Sequence, residues 1–292
     1  MNKLILAVYL FSLVGLVTSW CDCCDQCANQ ENQNQNTNTN NNQGYDTGSC
    51  PAFKFVSGGL SGSGFASRYW DCCKPSCSWS SNAGNGNEAR QCDRSMNLIS
   101  DYNAASMCDG GPSTTCLSQI PFVLDGCPEV GYAFGAVPGA GPSVCGRCFL
   151  VEFTGQGKYE TKKNHQMLKG KKLVVMASNI GYDVAGGQFD IMIPGGGVGL
   201  FNGCASIFGS GNMGAQYGGL LSDCENEVGW SMDDDTMYTR RKECLVKKCK
   251  NFTNNSQAQE GCLFLANFLE AAGNPLHTFR EVECPAVLKD KY

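Results

Sequence analysis

Two short stretches hold residues able to do chemistry together. The first is Ser67-Arg68-Tyr69-Trp70-Asp71-Cys72-Cys73-Lys74-Pro75-Ser76-Cys77-Ser78-Trp79, where one carboxylate stands among two tryptophans, a tyrosine and three cysteines. Cysteines this dense clamp a turn, a clamped carboxylate can hold a water in a fixed place, and aromatic faces stack on the apolar face of a pyranose ring. Aromatics in the core and a solvated turn at Asp71 would explain the composition equally well. The second stretch is Phe189-Asp190-Ile191, in an alternating, strand-like run. A carboxylate there is partly desolvated, which raises its pKa toward what a general acid needs near neutral pH. A buried aspartate satisfied by backbone donors is the competing reading. The following Gly195-Gly196-Gly197 lacks the Lys-Ser/Thr ending of a phosphate loop, and no helix pattern directly follows it.

Composition narrows the chemistry. The net charge of −5 over 292 residues gives no electrostatic reason to bind nucleic acid or an acidic membrane, and suits a neutral substrate. With only two histidines, His165 and His277, a three-histidine zinc site is impossible and a Ser-His-Asp system has little to draw on. Neither a metal nor a cofactor is expected. Lys3 and the apolar run Leu4 to Val17, ending in Val17-Thr18-Ser19, predict a signal peptide over residues 1–19. Twenty cysteines behind such a leader imply disulfides, an oxidising compartment and a secreted, extracellular, monomeric protein. The acceptor triplets at Asn251 and Asn254 fit a glycosylated surface loop.

The elements that must position the two carboxylates lie downstream of a distinct N-terminal region. Residues 20–57 join a cysteine cluster, Trp-Cys-Asp-Cys-Cys-Asp-Gln-Cys, to a stretch 28–43 in which twelve residues are Asn or Gln, read as a linker. Ser57 to Gly64 reads as a flexible lead-in, and residues 58–292 as one catalytic domain. Short β-rich runs at Cys148 to Phe153, Lys172 to Ala177 and Phe189 to Ile193, separated by glycine and polar turns, predict a barrel. Helical periodicity is clearest over Cys262 to Ala272, and a short helix is expected over Ser95 to Tyr102. The charged insertion from Asn226 to Gly261 is expected to be a solvated surface excursion, with Cys244 and Cys249 pinching it closed.

Arg68-Tyr69-Trp70-Asp71 with Cys72-Cys73-Lys74-Pro75-Ser76-Cys77, and Phe189-Asp190 leading into Ile193-Pro194-Gly195-Gly196-Gly197-Val198-Gly199-Leu200-Phe201-Asn202-Gly203-Cys204, together resemble a family 45 glycoside hydrolase. The resemblance spans residues 60 to 288. It implies a mainly β fold, a six-stranded double-psi β-barrel with short helices and long disulfide-linked loops, and the activity of an inverting endo-β-1,4-glucanase acting on cellulose or a related β-glucan. By resemblance Asp71 is the general base, Asp190 the general acid and Asp183 an auxiliary aspartate in the loop before the acid. Tyr69, Trp70, Lys74 and Trp79 become candidates for sugar contact. The bridges implied are Cys72 to Cys204, Cys73 to Cys108, Cys77 to Cys145, Cys92 to Cys116, Cys148 to Cys284 and Cys224 to Cys262. Cys127, Cys244, Cys249 and the cysteines up to Cys50 stay unassigned, and Cys127 is either free or bridged to Cys50. Both halves of a seventh family bridge are missing, with Gly146 at one position.

Two departures from the family pattern matter. Ser67 replaces a threonine and keeps its hydroxyl, and Gln188 stands where some members carry a histidine beside the acid. Inverting hydrolysis needs an acid on one side of the bond and a base on the other, their carboxyls roughly 6.5–9.5 Å apart. The expectation is therefore a protonated Asp190 in its strand and an ionised Asp71 in its polar turn. The rival reading is an expansin-like or loosenin-like protein that binds glucan without cutting it, a class that generally lacks the base.

Overall fold

Residues 130–136 and 172–179 are almost wholly apolar, with no polar face to give to water, and both are buried strands of a closed barrel. The computed structural model describes residues 50–137, 141–181, 184 and 186–292. The expected signal peptide, cysteine cluster and linker, all within residues 1–49, lie outside the described residues. Six strands form the barrel: β1 (Ser61–Tyr69), β2 (Val130–Ala136), β3 (Cys148–Gly157), β4 (Lys172–Asn179), β5 (Phe189–Met192) and β6 (Pro275–Val282). Their order is β2-β4-β3-β6-β1-β5, and β5 pairs back onto β2 to close the ring. The β1–β5 and β2–β4 pairs are parallel and the others antiparallel. This is the mainly β, six-stranded barrel that the resemblance implied. Phe149, Phe189 and Phe279 meet edge to face inside it.

The expected lead-in at Ser57 to Gly64 is half strand, because β1 starts at Ser61. A Cβ on Gly64 would lie 1.9 Å from the Gly187 carbonyl oxygen, so this glycine permits close chain approach beside the strand that carries Asp190. The expected helix over Ser95 to Tyr102 is absent. Asp93 Oδ1 instead accepts from the amides of Ser95 and Asn97 at 2.8 and 2.9 Å, and Met96 sits at φ +66°, a closed turn that competes with helix.

The charged insertion is not a solvated loop but is built around a helix. Three helices follow the barrel's fifth strand: α1 (Gly219–Val228), α2 (Asp234–Cys249) and α3 (Ser256–Asn267). Asp233 caps α2 by accepting from the Thr236 amide at 2.9 Å. Asp234 and Asp235 lie in its first turn and Lys247 and Lys248 in its last, so the charge run complements the helix dipole. Met237, Arg241, Leu245 and Cys249, four apart, form its buried stripe. Glu270 ties α2 to the barrel by accepting from Tyr238 and Lys242 of α2 and from Lys171 at 2.7 Å.

Eight disulfides lie among the described residues, and five match the family pairing: Cys72–Cys204, Cys73–Cys108, Cys77–Cys145, Cys92–Cys116 and Cys148–Cys284. The sixth differs. Helix α2 stands between its two expected partners, so Cys224 of α1 pairs with Cys244, and Cys262 of α3 pairs with Cys249. Cys244 and Cys249 therefore do not pinch the insertion closed on itself. Cys50 pairs with Cys127, and Phe55 bridges Val282, so the folded body extends upstream of Ser57. Peptide mapping without reduction should recover the Cys224–Cys244 and Cys249–Cys262 cross-links and no Cys224–Cys262 species. Removing the first of these bridges as a double alanine variant should destabilise the protein by about 3 kcal/mol in chemical denaturation.

Candidate active site

The parallel pairing of β1 with β5 sets Ser67 opposite Asp190 and Tyr69 opposite Met192. Strand alternation then puts Ser67, Tyr69 and Asp71 toward one side and Arg68 and Trp70 toward the other. The contacts follow that division. Ser67 donates to Asp190 Oδ1 at 2.7 Å, and Tyr69, Asp71 and Asp190 line one open cleft of about 430 Å³. On the opposite side, Arg68 reaches the Gly218 carbonyl at 2.8 and 3.1 Å. Trp70 is 3% exposed and packs on Phe208 and Phe252 at centroid distances of 4.5 and 5.7 Å. Trp70 is thus core, which corrects its candidacy for sugar contact.

Asp71 is held from several directions. Its carbonyl accepts from the Gly203 and Cys204 amides at 2.9 and 3.2 Å, and the next residue, Cys72, takes φ +60° under its disulfide to Cys204. Its side chain accepts from the Cys73 amide at 2.9 Å. Burial outweighs that hydrogen bond and pushes the Asp71 carboxyl up to about 6. The polar turn does not leave Asp71 an ordinary ionised carboxylate, as the sequence suggested. It remains mostly ionised at pH 7 and is a stronger base than a free aspartate.

Asp190 is positioned from behind. Gln188 donates through Nε2 to Ser67 Oγ at 2.7 Å, which commits the Ser67 proton to Asp190 Oδ1. Burial and then the Asp71 and Asp190 charges push the Tyr69 phenol far above its ordinary value, so it stays neutral. Its oxygen accepts from Asn179 Nδ2 at 3.2 Å, while Asn179 Oδ1 accepts from the Ser76 amide and hydroxyl at 2.9 and 2.6 Å. Gly135, on the β2 side, is required by contact, since a Cβ there would meet the Asp190 carbonyl at 2.2 Å.

Lys74 lines the cleft but turns inward. Its ammonium donates to the Tyr102 and Ala104 carbonyls at 2.6 and 2.9 Å and lies 3.3 Å from the Trp79 ring centroid. Burial lowers its pKa to about 8. It therefore holds Trp79 as an aromatic wall more than it offers itself to a ligand. Sequence reasoning missed Asn179, whose role is visible only through long-range contacts. It also missed Phe201, which is 51% exposed at the rim beside Leu200; an aromatic just past a run of glycines was the available signal. Neither histidine lines the cleft. Asp183 lies outside the described residues.

The model for glycosyl hydrolase family 45 matches residues 63–230, which takes in both carboxylates and the clamp around Asp71. The chain belongs to glycosyl hydrolase family 45. It is 40% identical over 240 residues to Endoglucanase B of Cellvibrio japonicus, covering 80% of this chain but only 45% of that protein. With an endoglucanase of Cryptopygus antarcticus it shares 36% identity over 242 residues, covering 81% of this chain and 91% of the other. The crystal structure of a cellulase from that Antarctic springtail superposes with a TM-score of 0.61 at 35% identity, over 80% of this chain and 96% of that one. Family 45 membership accounts for the fold and the cleft motifs together. The wedge of α2 between Cys224 and Cys262 departs from the bridge that the family resemblance implied.

Two outcomes follow from this geometry. Ser67→Ala should leave the fold intact and lower kcat by about tenfold to a hundredfold, the worth of one hydrogen bond to a charged group, in steady-state assays. Asp71 has a folded pKa of about 6 against an ordinary 3.8, so its ionisation opposes folding above pH 6 and ceases to matter below pH 4. Asp71→Asn keeps the acceptor for the Cys73 amide. It should raise stability at pH 8 by up to about 3 kcal/mol and leave it unchanged at pH 3.5, measured by denaturant titration.

Proposed function

We propose that this chain is a secreted endo-β-1,4-glucanase that cuts internal bonds of cellulose or a related β-glucan with inversion at the anomeric carbon. Asp190 is the general acid, Asp71 the general base and Asp183 an auxiliary carboxylate. The observation that carries this reading is the pair of differently held carboxylates, Asp71 and Asp190, lining one open cleft together with a neutral Tyr69. A chain of sugars lies along the cleft with Trp79 and Phe201 as stacking surfaces. Asp190 passes its carboxyl proton to the leaving glycosidic oxygen as the bond to the anomeric carbon breaks. Asp71 takes a proton from the water that attacks that carbon from the opposite face, giving two neutral chain ends. At the end of the cycle Asp190 is ionised and Asp71 protonated, and a proton returned through solvent resets the pair.

The described cysteines form eight disulfides, which supports maturation in an oxidising compartment, and no described helix is long and apolar enough to cross a membrane. An intact Asp71 in the cleft favours hydrolysis over slippage of glucan without cutting. On soluble carboxymethylcellulose, viscosity should fall while reducing ends rise. Falling viscosity with no new reducing ends would identify the non-hydrolytic alternative. Asp71→Asn and Asp190→Asn should each lose at least about a hundredfold in rate. Proton NMR of the first product should show the α-anomer, and a β-anomer would contradict inversion. The acid limb of kcat/KM should fall below about pH 6 as Asp71 takes up its proton.

A further inference from the structure

A second, smaller cavity of about 120 Å³ opens where helices α1 and α2 meet the barrel, and none of its lining residues belongs to the catalytic cleft. Its rim carries two exposed aromatics, Trp230 at 53% and Tyr159 at 77%. Arg241 lies beneath Trp230, 3% exposed, with its guanidinium carbon 4.1 Å from the ring centroid. This backing fixes one side of Trp230 and leaves an exposed ring above a charged floor.

Arg241 is far from satisfied. It donates through Nη2 to the Gly229 carbonyl at 3.2 Å, its Nε has no partner, and no carboxylate lies within 4 Å of it among the described residues. A buried cation with spare donors is costly unless something accepts from it. Glu225 and Asn274 line the same cavity and make no side-chain hydrogen bond among the described residues. The cavity therefore presents unused donors and acceptors together, under aromatic rings. A free anion suits it poorly, because Glu225 and Glu160 outnumber the one arginine. A neutral polyol satisfies both kinds of group. The volume equals that of about four waters, enough for the hydroxyl edge of one sugar but not for a whole ring, which must lie outside on the aromatics.

We infer that Trp230, Tyr159, Arg241, Glu225 and Asn274 form a second saccharide-binding site, separate from the catalytic cleft, that takes a pyranose unit of a neutral glucan. The identity of the sugar rests on the glucanase reading above. Such a site holds the enzyme on an insoluble polymer and raises the effective concentration of chains at the cleft without taking part in bond cleavage.

Adsorption isotherms on swollen, insoluble cellulose at 4 °C test this with the full-length protein and its Trp230→Ala and Tyr159→Ala variants. Tyr159 is almost fully exposed, so its variant reports even if loss of Trp230 unsettles the fold. Both variants, with melting temperatures matching the parent, should bind insoluble cellulose about tenfold more weakly. Their rates on soluble carboxymethylcellulose should stay within about twofold of the parent, as expected for loss of a remote binding contact. Unchanged isotherms in the folded variants would overturn the site, as would an equal fall in rate on the soluble polymer. A parent protein that adsorbs but does not hydrolyse would count against the hydrolase reading alone, since the adsorption comparison still decides this site.

Discussion

The parallel pairing of β1 with β5, Ser67 against Asp190, is the constraint from which the cleft is built. One strand supplies the hydroxyl that holds Asp190, the Tyr69 phenol that lines the cleft with both carboxylates and, two residues past its end, Asp71. A slip of one residue in that register would turn Ser67, Tyr69 and Asp71 into the core and bring Arg68 and Trp70 out to the substrate. The close approaches at Gly64 and Gly135 keep the neighbouring backbones near enough to hold the register. The catalytic geometry is thus a property of strand pairing first and of side chains second.

Holding the base sets stability against chemistry. Asp71 is fixed by amide donors to its carbonyl, a disulfide at Cys72 and a left-handed backbone at that same residue. Burial then strengthens it as a base while making its charge unfavourable to folding. The bridges and the packed barrel offset that cost, and without them a carboxylate in this setting would relax toward solvent. Tyr69, held neutral by burial and by both carboxylates, lines the same cleft without adding charge.

The barrel and the two carboxylates were legible because the motifs are long and the strands are apolar in unbroken runs. Trp70 was misjudged because proximity in sequence was given more weight than the two-residue alternation that sends it to the opposite side from Asp71. Lys74 was misjudged because its partners, the carbonyls of Tyr102 and Ala104, lie far along the chain. The charge count of residues 226–261 suggests a solvated loop, whereas the order of those charges matches helix α2. Acidic residues first, basic residues last and a buried residue at every fourth position are a helix signature. Asn179 left no local trace, since it acts by joining the end of one strand to the turn after another.

The disulfide pattern has a consequence for how the protein is made. Cys72 waits for Cys204, a separation of 132 residues, while Cys73, Cys77, Cys92, Cys108, Cys116, Cys127, Cys145 and Cys148 emerge in between. Among the described bridges, only Cys224–Cys244 and Cys249–Cys262 join cysteines that are neighbours in synthesis order. Oxidation that simply kept pace with the ribosome would join the wrong thiols throughout the first half of the domain. Bridges of this separation need distant strands brought together, and thiolate exchange is the chemistry that undoes a bridge formed too early. Pairing here follows the fold of the barrel and not the order of the cysteines along the chain.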